Sequence, residues 1–274
     1  MSGPDRLVRA PDGTAIAVFA SGVAAGGTRP LVLVHGTTAD HLTFRVVGPM
    51  LGRRRRLFAV DRRGRGASGD ATAYSIEREF EDVAAVADAV AAEARSPVDV
   101  VGHSYGGRCA LGASRLTPAI RQIVCYEGAP APPDRPYQPS DLAGRLRAHL
   151  DRADLAAALE TFMREVVGID DAGIARFRAD PVWPLRVAAA HTIPRELEAE
   201  RAAAASLEAL GAVAVPVLQV LGTASKPAFH EATAALDARL AHGSVVRMEG
   251  AAHAAHHTHP ETLVGAVEAF LDRP

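Results

Sequence analysis

Lysine is almost missing from this 274-residue chain: of thirty basic residues, only Lys226 is not an arginine. A phosphate-cradling P-loop needs Gly-Lys followed by Ser or Thr, and Lys226 precedes Pro227, so that nucleotide chemistry is excluded. Cysteine is scarce as well. Cys109 and Cys125 are too few for a disulfide scaffold, which predicts reduced thiols and a cytoplasmic setting. No charge dominates: thirty basic residues face 32 acidic ones, for a formal charge of -2. A chain without excess positive charge has no overall field for nucleic acid or an anionic membrane surface. No apolar run approaches the roughly 18 residues of a membrane span. The opening MSGPDRLVRAPDG has no apolar stretch of the kind a signal peptide carries. Internal repeats and low-complexity tails are missing too. What is present is 48% hydrophobic and 23% charged, a globular balance, at a length that suits one domain carrying an insertion.

Several short apolar, β-branched runs end in glycine or a polar residue. They are PLVLVHG (30–36), RRLFAVD (55–61), PVDVVGHS (97–104), IRQIVCYEG (120–128), PVLQVLG (216–222) and SVVRMEG (244–250). Unbroken runs of this kind predict strands covered on both faces in a parallel sheet. RLVRA and TAIAVFA flank the turn signal Pro11-Asp12-Gly13 and predict an antiparallel hairpin at one edge. Helical patterns alternate with the runs. In 76–94, Phe80, Val83, Ala87 and Val90 fall on one stripe. Strand alternating with helix predicts an α/β fold with a mostly parallel, twisted sheet of about eight strands. Residues 131–212 break the rhythm with helical patterns and no convincing strand. They predict a helical cap inserted into a core made of 1–130 and 213–274, at the sheet edge where ligands bind.

The chemistry is concentrated in V-G-H-S-Y-G-G at 101–107, where Gly102 and Gly106 bracket Ser104 in the G-x-S-x-G spacing. On a sharp strand-to-helix turn the small flanking residues permit close backbone packing, and the serine hydroxyl stands exposed above the sheet. His35-Gly36 follows a strand, and Asp61-Arg62-Arg63-Gly64-Arg65-Gly66-Ala67-Ser68 forms a D-x-R-G-x-G-x-S run. Gly250-Ala251-Ala252-His253 follows the last strand, with Pro260-Glu261 beyond it. With these four motifs in this order, the chain resembles the α/β-hydrolase superfamily over nearly its whole length outside 131–212. The resemblance implies a serine hydrolase with Ser104 as nucleophile and His253 as base. It implies an oxyanion hole made of the backbone amides of Thr37 and Tyr105.

The acid departs from the family pattern. The usual Gly-x-x-Asp loop is Gly222-Thr223-Ala224-Ser225 here, so serine occupies the aspartate position. Other members place the acid one strand earlier, where this chain has Cys125-Tyr126-Glu127-Gly128. Glu127, at the end of an apolar strand, needs a partner if buried, and a histidine Nδ1–H would be one. Glu231 is the fallback. Pairing of Glu127 with an arginine, and a dyad without any acid, are the competing possibilities.

Other signals point elsewhere. His253, His256, His257 and His259 invite a zinc reading, but H-x-x-H-H-x-H lacks metal-protease spacing and an accompanying acidic or cysteine ligand, so no metal is expected. The other three histidines are expected at the surface or at a helix start. Gly64 to Gly69 fits G-x-G-x-x-G, yet the expected helix begins nearer Ser75, so no dinucleotide or other cofactor is expected. Seven arginines between 53 and 65 suggest a solvated edge. Both cysteines are expected in the core.

A serine at the elbow makes acyl-enzymes, which disfavours the related dehalogenases and epoxide hydrolases. The latter also use cap tyrosines, and residues 138–212 contain none. The expected reaction is cleavage of an ester, lactone or thioester in a small, moderately apolar substrate. The alternatives are a ligand-binding member with an idle site and a cofactor-free peroxidase or perhydrolase. Leu142, Leu146, Leu155, Leu159, Phe162 and Trp183 make the cap apolar, most of them as its core. Neither nucleic acid nor membrane is expected as a partner, and oligomeric state is open.

Overall fold

A computed structural model describes residues 3–273. Eight strands form one sheet: β1 (Arg6–Arg9), β2 (Ala15–Ser21), β3 (Leu31–Val34), β4 (Leu57–Val60), β5 (Val98–His103), β6 (Ile120–Tyr126), β7 (Val217–Gly222) and β8 (Gly243–Met248). Their spatial order is β1-β2-β4-β3-β5-β6-β7-β8. β1 pairs antiparallel with β2, and β2 with β4; every other pairing is parallel. Every residue of β3, β5 and β7 is buried, as continuous apolar runs require in a two-sided sheet. The edge strands differ: β1 alternates between half-buried and exposed residues, and β8 is mostly half-exposed. Among the described residues, no helix is long and apolar enough to cross a membrane.

Two cores sandwich the sheet. On one face, helices Ile76–Ala94, Tyr105–Ala113 and Pro227–Asp237 supply Phe80, Val83, Leu111 and Phe229. On the other, Val47–Leu51 and Pro260–Leu271 supply Leu51, Val267 and Phe270. The Ile76–Ala94 helix begins where its cap dictates. Ser75 has extended backbone, and its hydroxyl accepts from the Arg78 amide at 3.4 Å. Phe80, Val83, Ala87 and Val90 are all buried along its inner stripe.

Between β6 and β7 the chain runs through short helices from Leu142 to Gly211 and forms no strand. These helices have their own core of Leu142, Leu146, Leu159, Phe162, Ile174 and Ile193. They are tied to the sheet domain by charge rather than by apolar packing alone.

That tie corrects the expectation of a solvated arginine edge in part: Arg53, Arg54 and Arg56 are exposed, but the other four are not. Arg55, Arg62, Arg63 and Arg65 are at most 2% exposed. Arg62 donates from Nε and Nη2 to Glu79 at 3.0 and 2.6 Å, and from Nη2 to Glu196 at 2.5 Å. Arg65 donates to the same Glu196 oxygen, and Arg63 forms a fork with Asp82 at 2.6 and 2.7 Å. Glu196, on the helix Ile193–Ala199 of the inserted segment, is therefore rooted among core arginines. Burial alone would raise its carboxyl, but Arg62 and then Arg65 override that and hold it below its ordinary value. Removing one partner of a buried pair leaves an uncompensated charge. Glu196→Gln is expected to cost about 3–5 kcal/mol of folding stability, measured by urea unfolding. A loss below about 1 kcal/mol would show that the cluster is not an anchor.

Candidate active site

The site lies where the parallel strands end. β3 delivers His35, Gly36 and Thr37; β5 delivers Ser104; β6 delivers Glu127; β7 leads to Ser225; and the turn after β8 delivers His253. Ser104 sits at φ 54°, ψ -125°, a region that L-residues other than glycine rarely enter. The turn survives because its neighbours are small. A Cβ on Gly102 would lie 2.6 Å from the Cα of Gly107, and one on Gly36 would lie 2.9 Å from the Cβ of Ser104. The His35-Gly36-Thr37 loop is thereby pressed against the serine turn. The Ser104 amide donates to the Tyr126 carbonyl at 2.8 Å, and Tyr105 opens the following helix as its first residue.

Glu127 and His253 meet. His253 Nδ1 lies 2.7 Å from Glu127 Oε2, in a pair whose side chains are 8% and 0% exposed. The other carboxyl oxygen, Oε1, accepts from the Gly222 amide at 2.8 Å and from the Ser225 hydroxyl at 2.5 Å. The serine in the usual aspartate position thus holds the carboxylate that arrives from the neighbouring strand. Glu127, like Ser104 a non-glycine residue at positive φ, has φ 45°, and its amide donates to the Val220 carbonyl at 3.1 Å. Glu231 lies elsewhere, paired with Arg135 at 2.9 Å.

The loop carrying His253 is braced from β6. Tyr126 Oη donates to the Ala252 carbonyl at 2.5 Å and accepts from the Ala255 amide at 2.8 Å. His103 Nε2 donates to the His253 carbonyl at 2.9 Å. Neither bracing contact is evident from sequence; the only signal is an aromatic residue beside the acid and a histidine beside the nucleophile.

The extra histidines sit at helix starts, as one of the two expectations had it: His256 and His257 in the short helix Ala255–Thr258, His259 as the cap before Pro260–Leu271. His256 is buried rather than at the surface, with its ring 4.5 Å from that of His103 and 4.3 Å from that of His257. Among the described residues, no group of three or more His, Cys, Asp or Glu could hold a metal ion. His35, His103 and His256 are all held well below the ordinary imidazole value. Burial is the main cause, followed by Arg62 for His35, by His253 for His103 and by His103 for His256. His35 is fixed as one tautomer: Nε2 accepts from the Arg62 amide at 2.9 Å, so Nδ1 donates to the Gly36 carbonyl at 2.8 Å. Below pH 6.5 or so the unfolded chain takes protons that these three refuse when folded. Stability is therefore present above that pH and falls below it, by about 1.4 kcal/mol per pH unit for each residue. Urea unfolding between pH 7.5 and 5 should show the decline, with a shallower slope in His256→Phe. An unchanged slope in that variant would remove His256 from the account.

Both Ser104 and His253 line one cavity of about 360 Å³. Its floor includes Gly36, Thr37 and His103, and Ala254, His256 and His257 lie beside them. The inserted helical segment contributes Phe162, Met163, Val167, Ile169, Phe177 and Val182. Of the apolar cap residues noted in the sequence, Phe162 reaches the cavity, whereas Leu142, Leu146 and Leu159 form the segment's own core. Asp40 and His41 serve the scaffold. Asp40 caps the short helix His41–Phe44, and His41 Nδ1 donates to Asp61 at 2.8 Å.

A strained serine turn and a carboxylate-bound histidine thus share one cavity above a mostly parallel sheet. The chain belongs to the alpha/beta hydrolase family, whose model matches residues 31–266. It is 30% identical over 259 residues to the pimeloyl-acyl-carrier-protein methyl ester esterase of Neisseria meningitidis serogroup A, covering 90% of this chain and 79% of that one. Among solved structures, an alpha/beta hydrolase from Sphaerobacter thermophilus is similar with a TM-score of 0.82 and 28% identity, over 97% of this chain and 99% of that one. An esterase from Rhodococcus sp. shares the fold with a TM-score of 0.75 and 23% identity, over 97% and 98% of the two chains.

Proposed function

We propose that this protein is a serine hydrolase that cleaves an ester, lactone or thioester through an acyl-enzyme intermediate. The observation that carries the reading is the 2.7 Å contact between His253 Nδ1 and Glu127 Oε2, with Ser104 and His253 on one cavity. The Glu127 oxygen accepts, so Nδ1 carries the hydrogen and Nε2 keeps its lone pair for the serine proton. Ser104 Oγ attacks the carbonyl carbon, and His253 takes the hydroxyl proton. The amides of Thr37 and Tyr105 receive the oxyanion. His253 then gives its proton to the leaving alcohol or thiol. Water, deprotonated by the same imidazole, attacks the acyl-serine and releases the acid.

Residues 131–212 act as the cap, and their apolar side chains select a small, moderately apolar substrate. The methyl ester esterase at 30% identity supports an ester as the bond cleaved. Two buried free thiols, Cys109 and Cys125, suit a reducing, cytoplasmic setting. Ser225 in the usual aspartate position favoured a binding protein with an idle site. The Glu127 carboxylate bonded to that same hydroxyl supports the catalytic reading instead.

The test pairs a panel of ethyl esters, thioesters and lactones with a fluorophosphonate probe. Turnover together with a stoichiometric adduct on Ser104 is expected. An intact protein that neither reacts with the probe nor turns over any of the panel would leave only the binding reading.

A further inference from the structure

The cavity has an apolar wall, yet its charged residues do not balance. Arg45, Arg176 and Arg186 line it against a single carboxylate, Asp180. Arg45 and Asp180 already satisfy each other at 2.5 Å. His103, His256 and His257 are driven toward their neutral forms, chiefly by burial, and offer no counter-charge. Arg176 projects from an exposed position on the helix Asp171–Arg178.

Arg186 is the informative one. It comes from the helix Trp183–Ala188 of the inserted segment and is half-buried, facing the cavity. Its only hydrogen bonds among the described residues are to neutral oxygens, from Nη2 to Thr43 Oγ1 at 2.9 Å and from Nη1 to the Thr37 carbonyl at 3.4 Å. No carboxylate lies within 4.0 Å of it among the described residues. Burial pulls its guanidinium down to about 10, while Asp40, through space, pushes the other way. The buried arginines near the sheet edge each have a carboxylate partner: Arg62 with Glu79 and Glu196, Arg63 with Asp82, Arg65 with Glu196, Arg108 with Glu200. A half-buried cation on the cavity wall with no carboxylate partner, in a chain that pairs its buried arginines so thoroughly, is free to take a counter-ion from a bound molecule. Its bond to the Thr37 carbonyl places it one residue from Gly36, which touches the Ser104 turn.

We infer that Arg186 is a specificity-determining residue that selects substrates bearing a carboxylate, or another anion, a few atoms from the bond to be cleaved. The inference rests on the hydrolase reading for its chemistry, while anion selection itself is a property of the cavity. The substrate class is thus a monoester or lactone of a dicarboxylic or similarly acidic compound, its methylene chain against the Phe162 and Val167 wall and its anion on the guanidinium.

The test compares monoethyl glutarate with ethyl 5-methylhexanoate, in which an isopropyl group replaces the carboxylate at nearly the same shape. Rates are followed by pH-stat at pH 7.5. Binding of both esters to Ser104→Ala is measured by calorimetry, which reads selection without turnover. In the wild type, kcat/KM should favour the anionic ester by about tenfold or more, mostly through KM. Arg186→Gln should abolish that preference and Arg186→Lys should recover part of it, read as the ratio of kcat/KM for the two esters. A merely structural role would lower both esters alike in all variants. Equal binding of the two esters to Ser104→Ala, or a preference that survives in Arg186→Gln, overturns the proposal. Selective binding of the anionic ester without turnover of either one upholds anion selection and sinks the hydrolase reading.

Discussion

Replacing Ser104 by alanine is expected to lower ester turnover by about a millionfold, to a rate near that of the residual site, and to abolish the fluorophosphonate adduct. The size follows from the geometry. The serine occupies a strained backbone conformation at φ 54° that only its packed surroundings sustain, and its side chain lines the cavity it shares with His253. Once the hydroxyl is gone, the remaining groups can still polarise a carbonyl and bind substrate, but no covalent intermediate forms. Alanine fits the same space, so melting temperature should move little or rise. Turnover within about tenfold of wild type in Ser104→Ala would exclude a covalent serine mechanism.

Glu127→Gln is expected to reduce turnover by about 10⁴ with the fold intact. The reason is a tautomer choice. At Oε1 the wild-type carboxylate accepts from two donors, the Gly222 amide and the Ser225 hydroxyl. A glutamine must turn its carbonyl oxygen toward those donors, which aims its NH₂ group at His253 Nδ1. That nitrogen then has to accept, the ring hydrogen moves to Nε2, and the imidazole can no longer take a proton from Ser104. Ser225→Ala in parallel leaves the Gly222 amide and should cost far less. Paired measurements of kcat and of the imidazole nitrogen shifts by NMR check both halves. A loss under about tenfold in Glu127→Gln would sink its role as orienting acid.

The sheet was legible because burial on two faces forces unbroken apolar β-branched runs. PVDVVGHS and PVLQVLG could hardly do anything else, and they became β5 and β7. The elbow was legible because Gly102 and Gly106 leave room for the turn. Glu127 could be singled out as an acid ending an apolar strand, but its bond to Ser225 spans 98 positions, and no local pattern encodes such a contact.

Four of the seven arginines between 53 and 65 were misread for the same reason, while Arg53, Arg54 and Arg56 are exposed as expected. Composition cannot distinguish a solvated run from a buried one whose partners, Glu79, Asp82 and Glu196, lie far along the chain. Glu196 belongs to the inserted helices, whose order depends on side-chain packing rather than on periodicity. His256 was expected at the surface or at a helix start; it is at a helix start, but buried. The packing of its ring against the tilted His103 imidazole is visible only in three dimensions.

The hydroxyl of Ser225 touching the carboxylate of Glu127 also bears on how such enzymes diverge. The two side chains meet from the ends of adjacent strands, so the orienting acid can migrate from one strand end to its neighbour while the base stays put. A lineage could pass through a form carrying both acids and lose either one by a single codon change. Catalogues that retire a homologue as a pseudoenzyme for lacking the aspartate after the penultimate strand would then discard working catalysts.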